Sequence, residues 1–225
     1  RERGQVDRRI LHYDRLYIID KMRRLLLILS LCLLTLASRA QNDQKIIEAI
    51  SAAAQQMRSM QCDFTQTKHL KMLNDDMVSK GRMAYAQPSK LSWEYVTPYT
   101  YTFILNDTKV LLKKGDRGDV IDVNQNQMFK EIARLMMSSV VGKSLTDAKS
   151  FQTSMAESGQ EYVATLLPQS KDLKRMWTRL ILHFDKEKKT VTKVEMHEKN
   201  GDSTVIELQN IRLNPSIDEK TFAIQ

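Results

Sequence analysis

Residues 85–99 read YAQPSKLSWEYVTPY, a short strand-like run bounded by Pro88 and Pro98. Alternate side chains of an extended chain share a face, so Leu91, Trp93 and Tyr95 point one way and Lys90, Ser92 and Glu94 the other. Proline lacks the N–H that a central ladder needs, which puts both prolines in connections between strands. The stretch is therefore a strand with one large apolar and aromatic face. That face is either closed core or the wall of a cavity.

The flanking text supplies more strands. Upstream, CDFTQTKHLKML (62–73) alternates and is rich in β-formers, and a hairpin through Asn74, Asp75 and Asp76 leads into VSKGRMAYA (78–86). Downstream, YTYTFILN puts Tyr101, Phe103 and Leu105 on one face, Asn106-Asp107 turns the chain into KVLLKK, and GDRGDVIDV reads as a tight turn and strand. SFQTSMAE, a turn at Ser158-Gly159, EYVATLLP, WTRLILHFD and KTVTKVEMHEK continue the pattern. Asn200-Gly201 is the strongest hairpin signal, answered by STVIELQNIRLN, and a final TFAI is read as closing an edge.

Two segments have the helical period instead. Ile46, Ile50, Ala53, Met57 and Met60 recur every three or four residues, an amphipathic helix of about 16 residues capped by Asn42 or Asp43. Residues 124–142 carry Met128, Ile132, Leu135 and Met136 at helical spacing, with Gly142 as a stop. The Met136-Met137 doublet beside Leu135, Val140 and Val141 makes this helix apolar on more than one side. The sum is a mainly β protein with helices: about ten or eleven mostly antiparallel strands in a barrel or strongly curved sheet, with a helix against its concave face.

Charge and cysteine usage bound the function. The formal charge of +8 is misleading, because residues 1–40 hold nine basic and four acidic side chains, leaving 26 against 23 on residues 41–225. No arginine-rich patch interleaved with aromatics is left to track phosphates, so nucleic acid is not expected as a partner. From Met22, MRRLLLILSLCLLTLASRAQ has the basic start, short apolar run and small residues Ser38 and Ala40 of a secretory signal peptide, with cleavage expected before Gln41. Residues 1–21 read as an upstream extension outside the fold, and 41–225 as a single domain. Only Cys62 remains after such cleavage, so no intrachain disulfide forms.

Recognisable catalytic chemistry is missing. The seven glycines form no phosphate loop or dinucleotide fingerprint, and no nucleophile–base pair or carboxylate pair stands out. His183 and His197 are read as neighbours across a hairpin without a third ligand, which makes a poor metal site. Cys62 reads as a small apolar strand residue and Arg117-Gly118-Asp119 as a turn. No cofactor and no enzyme activity are expected.

CDFTQTK after an amphipathic helix, GRMAYAQPSKLSWEYVTP, the MFKEIARLM helix and the terminal TFAI together resemble the LolA-type periplasmic lipoprotein carriers over nearly all of 41–225. The resemblance implies an incomplete, half-open antiparallel barrel with a helical lid over a hydrophobic cavity. It also implies acylated lipoproteins as cargo, an inner-membrane releasing transporter and an outer-membrane receiver as partners, and a monomer in the periplasm. The expected cavity lining is Phe64, Met83, Tyr85, Gln87, Leu91, Trp93, Tyr95, Tyr101, Phe103, Met128, Ile132, Leu135 and Met136. The family places an inward arginine before the proline preceding the tryptophan strand, where it hydrogen-bonds the lid. This sequence has Gln87 there. A sensor or scaffold of the same fold, binding a protein partner, is the alternative.

Overall fold

The computed structural model describes residues 41–73, 75–125, 130, 133–134, 136–138 and 142–224. Two compact units divide the chain, Arg1–Lys45 and Ile46–Gln225, and the second holds the sheet. Helix α1 covers residues 41–56. Asn42 and Asp43 lie inside it rather than capping it. The apolar stripe also ends earlier than its spacing predicts: Ile46, Ile47 and Ile50 are buried from the helix, Met57 follows it, and Met60 belongs to the first strand.

Eleven strands form one antiparallel sheet: β1 (Ser59–Leu70), β2 (Asp75–Ala86), β3 (Lys90–Thr97), β4 (Tyr101–Asn106), β5 (Lys109–Lys114), β6 (Arg117–Asp122), β7 (Phe151–Ser158), β8 (Glu161–Pro168), β9 (Trp177–Asp185), β10 (Val191–Glu198) and β11 (Ser203–Leu213). Their order is β6-β5-β4-β3-β2-β1-β11-β10-β9-β8-β7. The chain builds one wing by successive hairpins, crosses to the far edge, and returns until β11 pairs with β1. Strands β6 and β7 are edges, so the sheet is open. The β1–β2 hairpin turns earlier than expected: β1 ends at Leu70, and Asp75 and Asp76 pair with Leu70 and His69 within the ladder. Arg117-Gly118-Asp119 likewise lies in edge strand β6, not in a turn.

Pro88 and Pro98 sit between strands, each after a cis peptide bond. Helix α2 (Lys171–Met176) links β8 to β9. The Ser170 side chain caps it by accepting from the Leu173 amide, and Leu173 is fully buried. The C-terminal segment is also different from the expected edge strand. Glu219–Phe222 is a 3-10 turn whose first amides are capped by Asp218.

The two faces of the sheet are covered differently. The main core gathers Ile46, Ile47 and Ile50 of α1 with Phe64, Leu91, Trp93, Leu166, Leu180, Leu182 and Phe184 of the strands, and Ala133 and Leu145 of the connection between β6 and β7. Where that connection is described, residues 130, 133–134 and 136–138 are helical, and Gly142 follows in a turn at φ 66°. A Cβ on Gly142 would lie 2.9 Å from an Ile50 methyl group, so both backbone conformation and space call for glycine. On the opposite, outer face a smaller cluster joins Ala84, Ile104 and Leu111 to Phe222.

Candidate functional site

Strand register arranges the inner face of the first wing into cross-strand rows. One row runs Met60, Tyr85, Leu91, Leu105, Val110; the next runs Cys62, Met83, Trp93, Phe103, Leu112. A third runs Phe64, Gly81, Tyr95, Tyr101. Eight of the expected lining residues, Phe64, Met83, Tyr85, Leu91, Trp93, Tyr95, Tyr101 and Phe103, thus share one continuous surface. Directly opposed residues on neighbouring strands lie close enough to pack, which is why strict alternation in each strand yields one wall.

Gly81 creates a space that its neighbours fill. The Phe64 ring lies over the glycine, stacks on Trp93 with ring centroids 4.3 Å apart, and meets Tyr95 edge-on at 5.2 Å. Tyr95 continues the aromatic run towards Tyr99 and Tyr101, with centroid separations of 6.1 and 6.2 Å. Its hydroxyl donates to Gln66 Oε1 at 2.9 Å. Burial pushes the Tyr85, Tyr95 and Tyr101 phenols above their ordinary range, so the wall is neutral where it carries oxygen. Burial, with the Asp63 charge adding to it, pushes the Cys62 thiol up to about 12. This thiol is an apolar wall group and not a nucleophile.

Of the remaining expected lining residues, Met136 and Gln87 fall within the described residues. Met136 is half-buried and packs against the main core together with Met137. Met128, Ile132 and Leu135 lie outside the described residues. Gln87 does not belong to the wall: it is exposed, and its Nε2 donates to the Met57 carbonyl at 2.7 Å. The amide thus ties the β2–β3 turn to the end of α1. A charged latch occurs elsewhere. Arg134 Nη1 pairs with Asp147 Oδ2 at 2.5 Å, and Nη2 donates to Ser150 Oγ at 3.1 Å. Burial alone would raise the Asp147 carboxyl, but hydrogen bonds from Ser150 and Arg134 outweigh it and hold it below the usual carboxylate range.

The outer face has a different character. Lys90, Ser92 and Glu94 do point there, yet Ser92 is buried beside the residues that meet Phe222. A groove of about 960 Å³ opens on this face among Gln61, Asp63, Arg82, Glu94, Asn210 and Arg212. Its polar walls are tied to one another: Arg82 to Glu94 at 3.0 Å, Asn210 to Asp63 at 2.7 Å and Arg212 to Gln61 at 2.9 Å. Ala84, Ile104 and Ile211 also line the groove, so its surface mixes apolar and polar groups.

On the other wing, His183 sits between Glu161, 2.9 Å from Nδ1, and Glu195, 3.0 Å from Nε2. His197 does not pair with His183 across the hairpin: the ladder opposes His183 to Lys193 and His197 to Arg179. Among the described residues no group of three or more His, Cys, Asp or Glu side chains is placed to hold a metal ion.

An open antiparallel sheet with one aromatic and aliphatic face, sharing its core with helical segments, is a half-open barrel architecture. The family profile described as "Outer membrane lipoprotein carrier protein LolA" matches residues 55–225. The chain belongs to the LolA family. Curated outer-membrane lipoprotein carrier proteins are similar to it: one from Legionella pneumophila (strain Lens) is 26% identical over 202 residues, 89% of this chain and 94% of the relative. Another, from Methylococcus capsulatus, is 24% identical over 199 residues, 88% of this chain and 91% of the relative. The crystal structure of MucB shares the fold at a TM-score of 0.51 and 10% identity, covering 82% of this chain and 63% of that one.

Proposed function

We propose that residues 41–225, released from a signal peptide before Gln41, act in the periplasm as a non-catalytic carrier that shelters lipoprotein acyl chains and shuttles them from inner to outer membrane. An inner-membrane releasing transporter supplies the cargo and an outer-membrane receiver takes it. The observation that carries this reading is the continuous inner wall of Leu91, Trp93, Met83, Phe103 and Phe64, covered by helical segments rather than by a second sheet. Contact between helix and wall is apolar and non-directional, so acyl chains can replace it. Sheltering about ten methylenes contributes on the order of 8 kcal/mol, enough to hold a lipid in transit and still release it to a better site. Membership in a family of carriers and the lack of any helix, among the described residues, able to cross a membrane agree with this role.

The test is titration of the folded protein with an environment-sensitive fluorescent acyl probe. Emission should rise on binding, and Leu91→Glu should abolish the rise, because a carboxylate facing hydrocarbon is costly. A folded Leu91→Glu variant that still binds the probe would sink the assignment of this face. The outer groove favours a second reading, in which a protein partner docks there. A stable complex formed by lipid-free protein and lost on Arg82→Ala would support it.

A further inference from the structure

The wall is uncharged, and its middle row holds one buried polar group without a partner. Trp93 is only 7% exposed, and its Nε1 is buried with no hydrogen-bond partner. Buried indole N–H groups normally find an acceptor, and one left unpaired destabilises the empty protein. The Tyr95 hydroxyl, which donates to Gln66, lies close enough to the indole for the contact to oppose the rise of the phenol, yet it does not meet the N–H in hydrogen-bond geometry. Stacking on Phe64 at 4.3 Å holds the indole in the middle row of the wall. An isolated donor fixed in an apolar surface is the kind of group that orients a ligand.

We propose that the Trp93 indole N–H donates to a carbonyl oxygen of the bound lipid, an acyl ester or amide, and so selects carbonyl-bearing chains and sets how deep they sit. This rests on the carrier reading above. The acceptor must be neutral. The three rows contain neither lysine nor arginine, so a free carboxylate would be desolvated there without a cation. A plain alkyl chain offers no acceptor and leaves the indole as unpaired as in the empty protein, and an ether oxygen, hemmed between two alkyl groups, reaches a fixed donor less well than a projecting carbonyl. An ester or amide carbonyl satisfies the donor without importing charge.

The experiment compares a short-chain diacylglycerophosphocholine with its dialkyl ether counterpart of equal chain length, below micelle-forming concentrations. Each competes with the fluorescent acyl probe on the purified chain. The ester should bind about threefold to tenfold more tightly, the range of one net hydrogen bond. Trp93→Phe keeps an aromatic ring on Phe64 and should bring the ester-to-ether affinity ratio down to about one. Tyr95→Phe should keep the preference. A second readout needs no variant: the Trp93 indole N–H proton resonance should move downfield with the ester and not with the ether. Equal binding of ester and ether by the unaltered protein, or a preference that survives in Trp93→Phe, overturns the proposal while leaving the carrier reading intact. Loss of the preference in Tyr95→Phe alone moves the donor to Tyr95 and also overturns it. Failure of the probe itself to bind overturns the carrier reading, and this inference with it.

Discussion

Gly81→Ala tests whether the aromatic wall depends on a missing side chain. Gly81 has no left-handed φ, so the constraint is space alone. A Cβ there would fall 1.9 Å from the Glu94 carbonyl oxygen and 2.5 and 2.7 Å from two ring carbons of Phe64. Reaching an ordinary separation requires a movement of roughly 1.5 Å. The Glu94 carbonyl belongs to β3, which is paired on one side with β2 and on the other with β4, so it does not move without disturbing the ladder beside Trp93. Overpacking of this kind costs about 1–3 kcal/mol, and displacing Phe64 adds about 0.5–1.5 kcal/mol for each aromatic pair it breaks. Reduced freedom of the unfolded chain returns about 0.4–1 kcal/mol. The expected net loss is about 2–4 kcal/mol, which at a typical urea m-value of about 2 kcal/mol/M lowers the unfolding midpoint by about 1–2 M. Near-UV circular dichroism should weaken as the Phe64–Trp93 stack comes apart. A variant within about 0.5 kcal/mol of the parent, with an unchanged near-UV spectrum, would refute the claim that Phe64 occupies the space above Gly81.

Phe222→Ala should lower stability by about 3 kcal/mol in urea unfolding, because Phe222 is 1% exposed. Acyl-probe affinity of the folded variant should be unchanged, since its cluster lies on the outer face. Cys62, with its thiol pushed up to about 12, should resist iodoacetamide at pH 8 in native protein and react in urea, with mass spectrometry as the readout. The Asp147 carboxyl is held below its ordinary value of 3.8, so its contribution is fully present above that pH and is lost as the pH falls through the lower folded value. Amide exchange over 133–138 should therefore accelerate selectively on acidification below about pH 4, relative to the strands. Asp147→Asn should show that faster exchange already at neutral pH, with little further change in acid.

The wall was readable because a period of two fixes parity. Once Leu91 and Trp93 share a face, Tyr95 must share it, and the same rule aligns Tyr101 with Phe103. Register then does what no single strand can, setting Met83 and Phe103 on either side of Trp93. Other features escaped for physical reasons. Met57 and Met60 continue the helical spacing of α1 by coincidence, and spacing alone cannot locate the end of a helix. TFAI has strand-like composition, yet Asp218 accepts from the Lys220 amide and starts a turn, so an N-cap signal was present just before it. Ser170 and Asp172 announced α2 in the same way, but six residues are too few to show a period. The Arg134–Asp147–Ser150 latch joins residues 13 and 16 apart in sequence through a bent connection, a proximity that no local pattern encodes. Gln87 carries no local sign that its amide reaches back to Met57.

The two seals on the sheet differ in the forces that hold them, and this difference favours exchange on the inner face. The C-terminal segment is fastened to the outer face by directed bonds as well as by Phe222. Ser59 Oγ donates to the Pro215 carbonyl at 2.7 Å, the Arg58 amide to Asn214 Oδ1 at 2.7 Å, and Asn106 Nδ2 to the Phe222 carbonyl at 3.0 Å. Lys90 also pairs with Glu219 at 2.5 Å. A ligand displacing this segment would have to reproduce that set of donors and acceptors, which a hydrocarbon cannot do. On the inner face, Ile46, Ile50 and Ala133 share one apolar core with the wall, Met136 packs against that core, Gln87 is tied to Met57, and Arg134 to Asp147 and Ser150. On the proposed carrier reading, an acyl chain that took the place of this packing would cover a similar apolar area, which would make the exchange close to neutral in free energy. On that same reading, the sheet is closed by directed bonds at its C-terminal segment and by exchangeable apolar packing on the face proposed for cargo.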